Sequence, residues 1–252
     1  MKTLILKIEY DGFAYSGWQK QLNSNSIQEE IEKVLSTIYQ TEIKIIGAGR
    51  TDAGVHANGQ IATTDLENPD KIPLEKITKA LNSYLPKDIR ILGSAFYETH
   101  LNARFDAIAR EYIYHISTKE QAIKRNYINY IKFPIDFEIL KKSADIFIGN
   151  YDFTTFSKLN LDTKNYTCNV EISQWQEIEP MIYRYRIKAN RFVYGMVRSL
   201  VGTMVDAARG KIELDNIKNC LLQKDRSLNS PLAAAKGLIL ENIYFADETI
   251  FI

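Results

Sequence analysis

Stretches that alternate apolar and polar residues flank helical stretches in both halves of this chain, which restricts it to layered folds of mixed α and β elements. Leu4 to Tyr10 alternates, Asp11-Gly12 turns, and Ser26 with Glu29 forms a capping box ahead of a helix over Ile27–Tyr39. Ile43 to Ile46 and Gln60 to Leu66 read as strands on either side of a glycine-rich loop. Pro73 opens a helix to about Leu85, and Ile89 to Tyr97 is a further strand. In the second half Glu111 to Ser117 reads as a strand, Phe137 to Ile148 as a helix, and Val170 to Glu177 with Tyr183 to Ala189 as a hairpin. Val193, Met196, Val197, Leu200, Val201, Met204 and Val205 recur at helical spacing, the mark of a helix with one apolar stripe. A shorter helix from Leu214 to Gln223 and a strand from Leu238 to Phe245 follow. The polar, patternless run Thr154 to Thr167 reads as a mobile loop.

At 252 residues, 45% hydrophobic and 25% charged, the chain has room for one bipartite domain or two small ones, each with its own core. Its first residues, MKTLILKIEYDG, lack the cleavage region of a signal peptide. No stretch approaches the roughly 18 uninterrupted apolar residues of a membrane span, so a cytoplasmic protein is expected. Cys168 and Cys220 stand far apart, and neither they nor His56, His100 and His115 show metal-ligand spacing. No metal or cofactor site is expected.

The net charge of +1 is not that of a strongly basic nucleic-acid binder, but the charge is unevenly spread. Between Pro180 and Val205 there are five arginines or lysines and no acidic residue. Arg184, Arg186 and Lys188 alternate with Tyr183, Tyr185 and Ile187, placing three cations on one strand face. Such a face is either simply solvated or a track for successive phosphates.

The loop Gly47-Ala48-Gly49-Arg50-Thr51-Asp52-Ala53-Gly54-Val55-His56 presents a carboxylate beside an arginine at the end of a strand. Its glycines allow a sharp turn or the close approach of another surface. The sixth position of a dinucleotide fingerprint would be Asp52, and no Gly-Lys-Ser/Thr ending is present, so both nucleotide-loop motifs fail. On composition alone, Arg50 and Asp52 pairing with each other explains the loop as well as chemistry does.

GRTDAGVHANGQ, preceded by Tyr15-Ser16-Gly17-Trp18-Gln19, resembles the signature of the tRNA pseudouridine synthase A family. The resemblance continues through Asn102-Ala103-Arg104-Phe105 and Ala109-Arg110-Glu111-Tyr112-Ile113-Tyr114. It resumes at Lys188-Ala189-Asn190-Arg191-Phe192 and Met196-Val197-Arg198-Ser199-Leu200-Val201-Gly202, in the family's order. It implies two ferredoxin-like subdomains forming a shared, mostly antiparallel sheet with a central catalytic cleft. The expected division is an N-terminal subdomain, 1–102, and a C-terminal one, 103–252. By the same resemblance Asp52 is the nucleophile, and the arginine matching Arg198 pairs with it and keeps it ionised. Tyr112 stacks on the evicted uracil, and Arg50 holds the backbone or fills the space the base leaves. The family acts without a cofactor on tRNA uridines 3′ of the anticodon, positions 38–40, and as a homodimer. Arg191 and Tyr194-Gly195 depart from the commoner pattern, which bears only on the shape of the RNA groove.

Two rivals are distinguishable. A non-catalytic RNA-binding module using the Tyr/Arg face would bind without turnover. A hydrolytic N-glycosidase would release free base, and normally uses a second carboxylate, which the loop lacks. If the strand face proves merely solvated, the RNA track is to be sought around Arg50 and Arg104.

Overall fold

The computed structural model describes residues 2–159, 163–247 and 250. They divide into two compact units: residues up to 108 together with those from 240 onward, and Ala109–Ile239. The expected division at residue 102 falls a few residues ahead of this one, and the last strand groups with the first unit.

In the first unit, β1 (Lys2–Tyr10) leads to α1 (Ile27–Tyr39), β2 (Ile46–Gly47) and β3 (His56–Leu66). Next come α2 (Leu74–Tyr84), β4 (Ile89–Tyr97) and the single turn α3 (Ala103–Asp106). β1 is the middle strand, antiparallel to β3 from Lys2↔Leu66 to Tyr10↔Ala57 and to β4 from Thr3↔Tyr97 to Tyr10↔Ile89. Its alternation is incomplete: Leu4, Ile5 and Leu6 are all buried, so this part of the strand is covered on both faces. Ile27, Ile31 and Leu35 of α1 are fully buried, and Ser26 caps the helix by accepting from Glu29 N.

The strand expected over Ile43–Ile46 is only β2, two residues paired with Thr63 and Ala62 of β3. The preceding residues have buried side chains at Ile43 and Ile45, as a strand would, but their backbone bonds go to a helix. Ile43 N donates to Ser36 Oγ (2.9 Å) and Ile45 N to Glu32 Oε1 (3.0 Å), while Gln28 Nε2 donates to Ile45 O (3.2 Å). Polar side chains one row along α1 take the place of a neighbouring strand.

In the second unit, β5 (Ala107–Ser117) starts at the unit boundary and is followed by β6 (Asn129–Tyr130), α4 (Phe137–Asp145) and β7 (Gly149–Asp152). The hairpin β8 (Thr167–Glu179) and β9 (Ile182–Ala189), then α5 (Met196–Ala208) and α6 (Leu214–Gln223), complete it; β10 (Leu238–Phe245) ends the sequence of elements. The order β5-β9-β8-β7 is antiparallel throughout, with β6 parallel to β5. Mostly antiparallel strands with six helices among the described residues make the fold α+β, as expected.

Two expectations change here. Ten of the thirteen α5 residues are buried, so the helix has no single apolar stripe; only the row Arg198, Gly202 and Asp206 is partly open. The run from Thr154 is not all loop surface either. Thr155 and Phe156 are fully buried, the latter edge-on to Phe147, and Thr155 Oγ1 donates to Cys220 O. Residues 160–162 of that run lie outside the described residues.

Candidate active site

The loop from Gly47 to Val55 is held by the segment from Tyr10 to Trp18, within the first unit. Thr51 O accepts from Trp18 N (3.1 Å), Gly54 N donates to Tyr15 O (3.3 Å), and the Tyr10 and Thr51 hydroxyls lie 2.8 Å apart. Across the base of the loop, Ala48 N donates to Ile61 O, and the buried Gln60 donates to Gly49 O (2.8 Å).

Glycine is required where these two segments meet. Gly17 has φ +103°, and a Cβ there would stand 2.5 Å from Thr51 O and 3.1 Å from the Asp52 carbonyl carbon. A Cβ on Gly12 would stand 1.9 Å from Val55 O, and one on Gly47 would enter the Trp18 ring. The sequence blocks around Gly17-Trp18 and Gly47–Val55 are thus one structural object. At its apex the half-buried Asp52 turns the chain, its carbonyl accepting from Val55 N (3.1 Å), and Arg50 is exposed on the same loop.

The other two candidate residues belong to the second unit. Tyr112, on β5, is only 8% exposed, and its ring meets Phe192 edge-to-face at 5.0 Å. Phe192, in a block noted for its resemblance alone, is the neighbour that fixes this ring. Arg198 lies in the one partly open row of α5. Its Nε donates to Ala233 O (2.8 Å), and Ala233 N donates back to Arg198 O (3.0 Å).

One turn on, a Cβ at Gly202 would stand 2.2 Å from Pro231 O, so the glycine lets residues 231–233 cross the helix closely. Tyr114 holds the next carbonyl, donating from Oη to Ala234 O (2.7 Å). Burial pushes the Tyr114 phenol well above its ordinary range against the opposing pull of the Arg198 charge, so this hydroxyl stays a proton donor. The Arg198-to-Gly202 motif therefore builds a rigid seat that fixes the direction of the guanidinium. Sequence patterning could not reveal Ala233 or Tyr114 in this part, because both contacts end on a backbone carbonyl, that of Ala233 for Arg198 and that of Ala234 for the Tyr114 hydroxyl.

The cations of β9 have partners on both neighbouring strands. Arg186 forms a bidentate pair with Glu111 of β5, whose second contact is Nη2 to Oε2 at 3.2 Å. Lys188 Nζ lies 2.8 Å from Glu171 Oε2, and Arg184 Nη2 donates to Gln176 Oε1 (3.0 Å), both on β8. The three cations are thus engaged by side chains of the neighbouring strands, two of them by carboxylates.

The sequence pattern of the tRNA pseudouridine synthase family matches residues 7–106 and 144–246. The tRNA pseudouridine synthase A of Bacteroides fragilis is 36% identical over 248 residues, spanning 98% of either chain. That of Clostridium kluyveri is 35% identical over 251 residues, covering 97% of this chain and all of its own. That of a Thermoanaerobacter species is 36% identical over 247 residues, again 97% of this chain and all of its own. By that pattern and by relatives matched over nearly their whole length, this chain belongs to the tRNA pseudouridine synthases.

Proposed function

We propose that this protein isomerises uridine to pseudouridine in tRNA, with Asp52 as the nucleophile. The bond from uracil N1 to ribose C1′ breaks, the base turns, and C5 bonds to C1′. The C5 hydrogen leaves as a proton and N1 takes one up, so the product is an isomer and the reaction needs no oxidant or reductant. The observation that carries the assignment is the clamped loop. Thr51 and Gly54 on either side of Asp52 are bonded to Trp18 and Tyr15, so the carboxylate stands on backbone that need not rearrange for catalysis.

The remaining parts rest on the family resemblance: Tyr112 supports the evicted uracil, Arg198 supplies a guanidinium to the charged reaction centre, and Arg50 occupies the place the base leaves. The same basis supports target uridines on the 3′ side of the anticodon, a homodimer and a cytoplasmic setting. No described helix is long and apolar enough to cross a membrane.

The test is tritium release from tRNA labelled at uracil C5, measured for the parent and for Asp52→Asn. The amide keeps the shape and tRNA affinity but is no nucleophile, so turnover should fall by roughly 10⁴-fold or more. Residual activity within about tenfold of the parent removes Asp52 from the role. Free uracil among the parent's products would instead make the protein a glycosidase, and binding without tritium release a non-catalytic module.

A further inference from the structure

The block Asn102-Ala103-Arg104-Phe105 takes no part in the reaction as derived, yet its geometry is tightly fixed. Asn102 Oδ1 caps α3 by accepting from Arg104 N (3.0 Å) and Phe105 N (3.3 Å). Asp106 Oδ2 accepts from Asn102 N (2.7 Å), and Ala103 N donates to Thr63 Oγ1 of β3 (3.1 Å). This rigid turn keeps a large aromatic ring in water: Phe105 is 76% exposed. The Arg104 guanidinium carbon lies 5.6 Å from the centre of that ring. A single exposed apolar side chain needs no explanation. Here the ring is paired with a cation, and Ile108, shortly after it in the chain, and Ile46, on the strand β2 against which the turn packs, are exposed as well. The turn also packs against β2 and β3, the strands that enter and leave the Asp52 loop.

We infer that Arg104 and Phe105 form a binding platform for one nucleotide of the tRNA beside the reacting uridine, its base on the Phe105 face and its phosphate toward Arg104. This inference rests on the pseudouridine reading for the identity of the ligand. An aromatic face accepts any base, and a guanidinium supplies the charge that a phosphate needs. This turn offers RNA a cation and an aromatic face on the same unit as the Asp52 loop. Base stacking of this kind raises affinity without entering the chemical step, so it should appear in KM and not in the rate at saturation.

The experiment measures affinity for tRNA by fluorescence anisotropy across a salt series, and tritium release under single-turnover and steady-state conditions. The variants are Phe105→Ala, Phe105→Tyr and Arg104→Ala. Phe105→Ala should weaken binding about 5- to 100-fold and raise KM in parallel, with the saturated rate unchanged. Phe105→Tyr should restore both to within about twofold, since the ring face is kept. Arg104→Ala should flatten the salt dependence of log affinity by about one unit, which Phe105→Ala leaves unaltered. Parental affinity and KM in both alanine variants overturn the platform, as does a weakened Phe105→Ala that Phe105→Tyr fails to rescue. A parent that binds tRNA but releases no tritium would refute the catalytic reading separately, because the affinity measurements still decide the platform.

Discussion

Replacing Gly17 with alanine tests whether the tyrosine-to-tryptophan segment positions the catalytic carboxylate. Gly17 sits at φ +103°, so any L side chain carries at least about 1–2 kcal/mol of backbone strain. The added Cβ also meets Thr51 O at 2.5 Å, where ordinary contact begins near 3.4 Å. That carbonyl belongs to the peptide joining Thr51 to Asp52 and already accepts from Trp18 N, so it cannot turn aside without losing the bond. The peptide must retreat by about 1 Å, a displacement that costs on the order of 100-fold in rate when it moves a catalytic group. Gly17→Ala should therefore lose about 100-fold in single-turnover tritium release along with its stability to urea. Gly210→Ala provides the control: φ is +72° but nothing lies within 4 Å of the new Cβ, so strain appears without displacement. Gly93→Ala has neither feature and should match the parent. A Gly17→Ala enzyme within about threefold of parental turnover, or a Gly210→Ala enzyme equally impaired, would refute the argument.

Two further outcomes are expected. Burial, reinforced by Arg184 and Lys124, pushes the His115 imidazole down to about 4 from an unfolded value of 6.5. The unfolded chain then binds the proton that the folded one refuses, so this contribution is complete above about pH 6.5 and is lost as pH falls toward 4. Its ceiling is about 3 kcal/mol in urea titrations, and His115→Gln should flatten that limb; an unaltered pH profile would contradict it. Arg186→Ala removes a bidentate partner from Glu111, which is only 5% exposed, and should lower stability by about 1–3 kcal/mol. Its salt dependence of tRNA binding should stay parental, and a slope flatter by about one unit at unchanged stability would restore Arg186 as a phosphate contact.

Local periodicity revealed those elements whose neighbours follow from their own pattern. α1 begins after Ser26 as its capping signal requires, α2 runs between Pro73 and Leu85, and β8 and β9 pair as a hairpin. Long-range partners were not legible. The pairing of Arg186 with Glu111 depends on β5 lying against β9, with Glu111 opposite Lys188. Nothing near residue 186 in the sequence carries that register. The contact of Arg198 with Ala233 was hidden for the same reason, its carbonyl partner being supplied by a segment that crosses the helix over Gly202. Of the site, the Asp52 loop was readable because its glycines and polar residues are contiguous. The dependence of that loop on Gly12, Gly17 and Trp18 required the folded backbone.

The row Gln28, Glu32 and Ser36 has a consequence for how this protein meets other chains. An extended segment normally advertises its backbone, and any stray β-strand can add to it. Here the amides of Ile43 and Ile45 and the carbonyl of Ile45 are already engaged by helix side chains. The approach to the catalytic loop is thus a sealed edge along these groups, closed to strand addition from the helix side, with the exposed Lys44 as a second guard on the segment itself. Protection at the edge is therefore exercised from the helix, and a substitution at Glu32 would open the seam to foreign strands while leaving every residue of the extended segment itself unaltered.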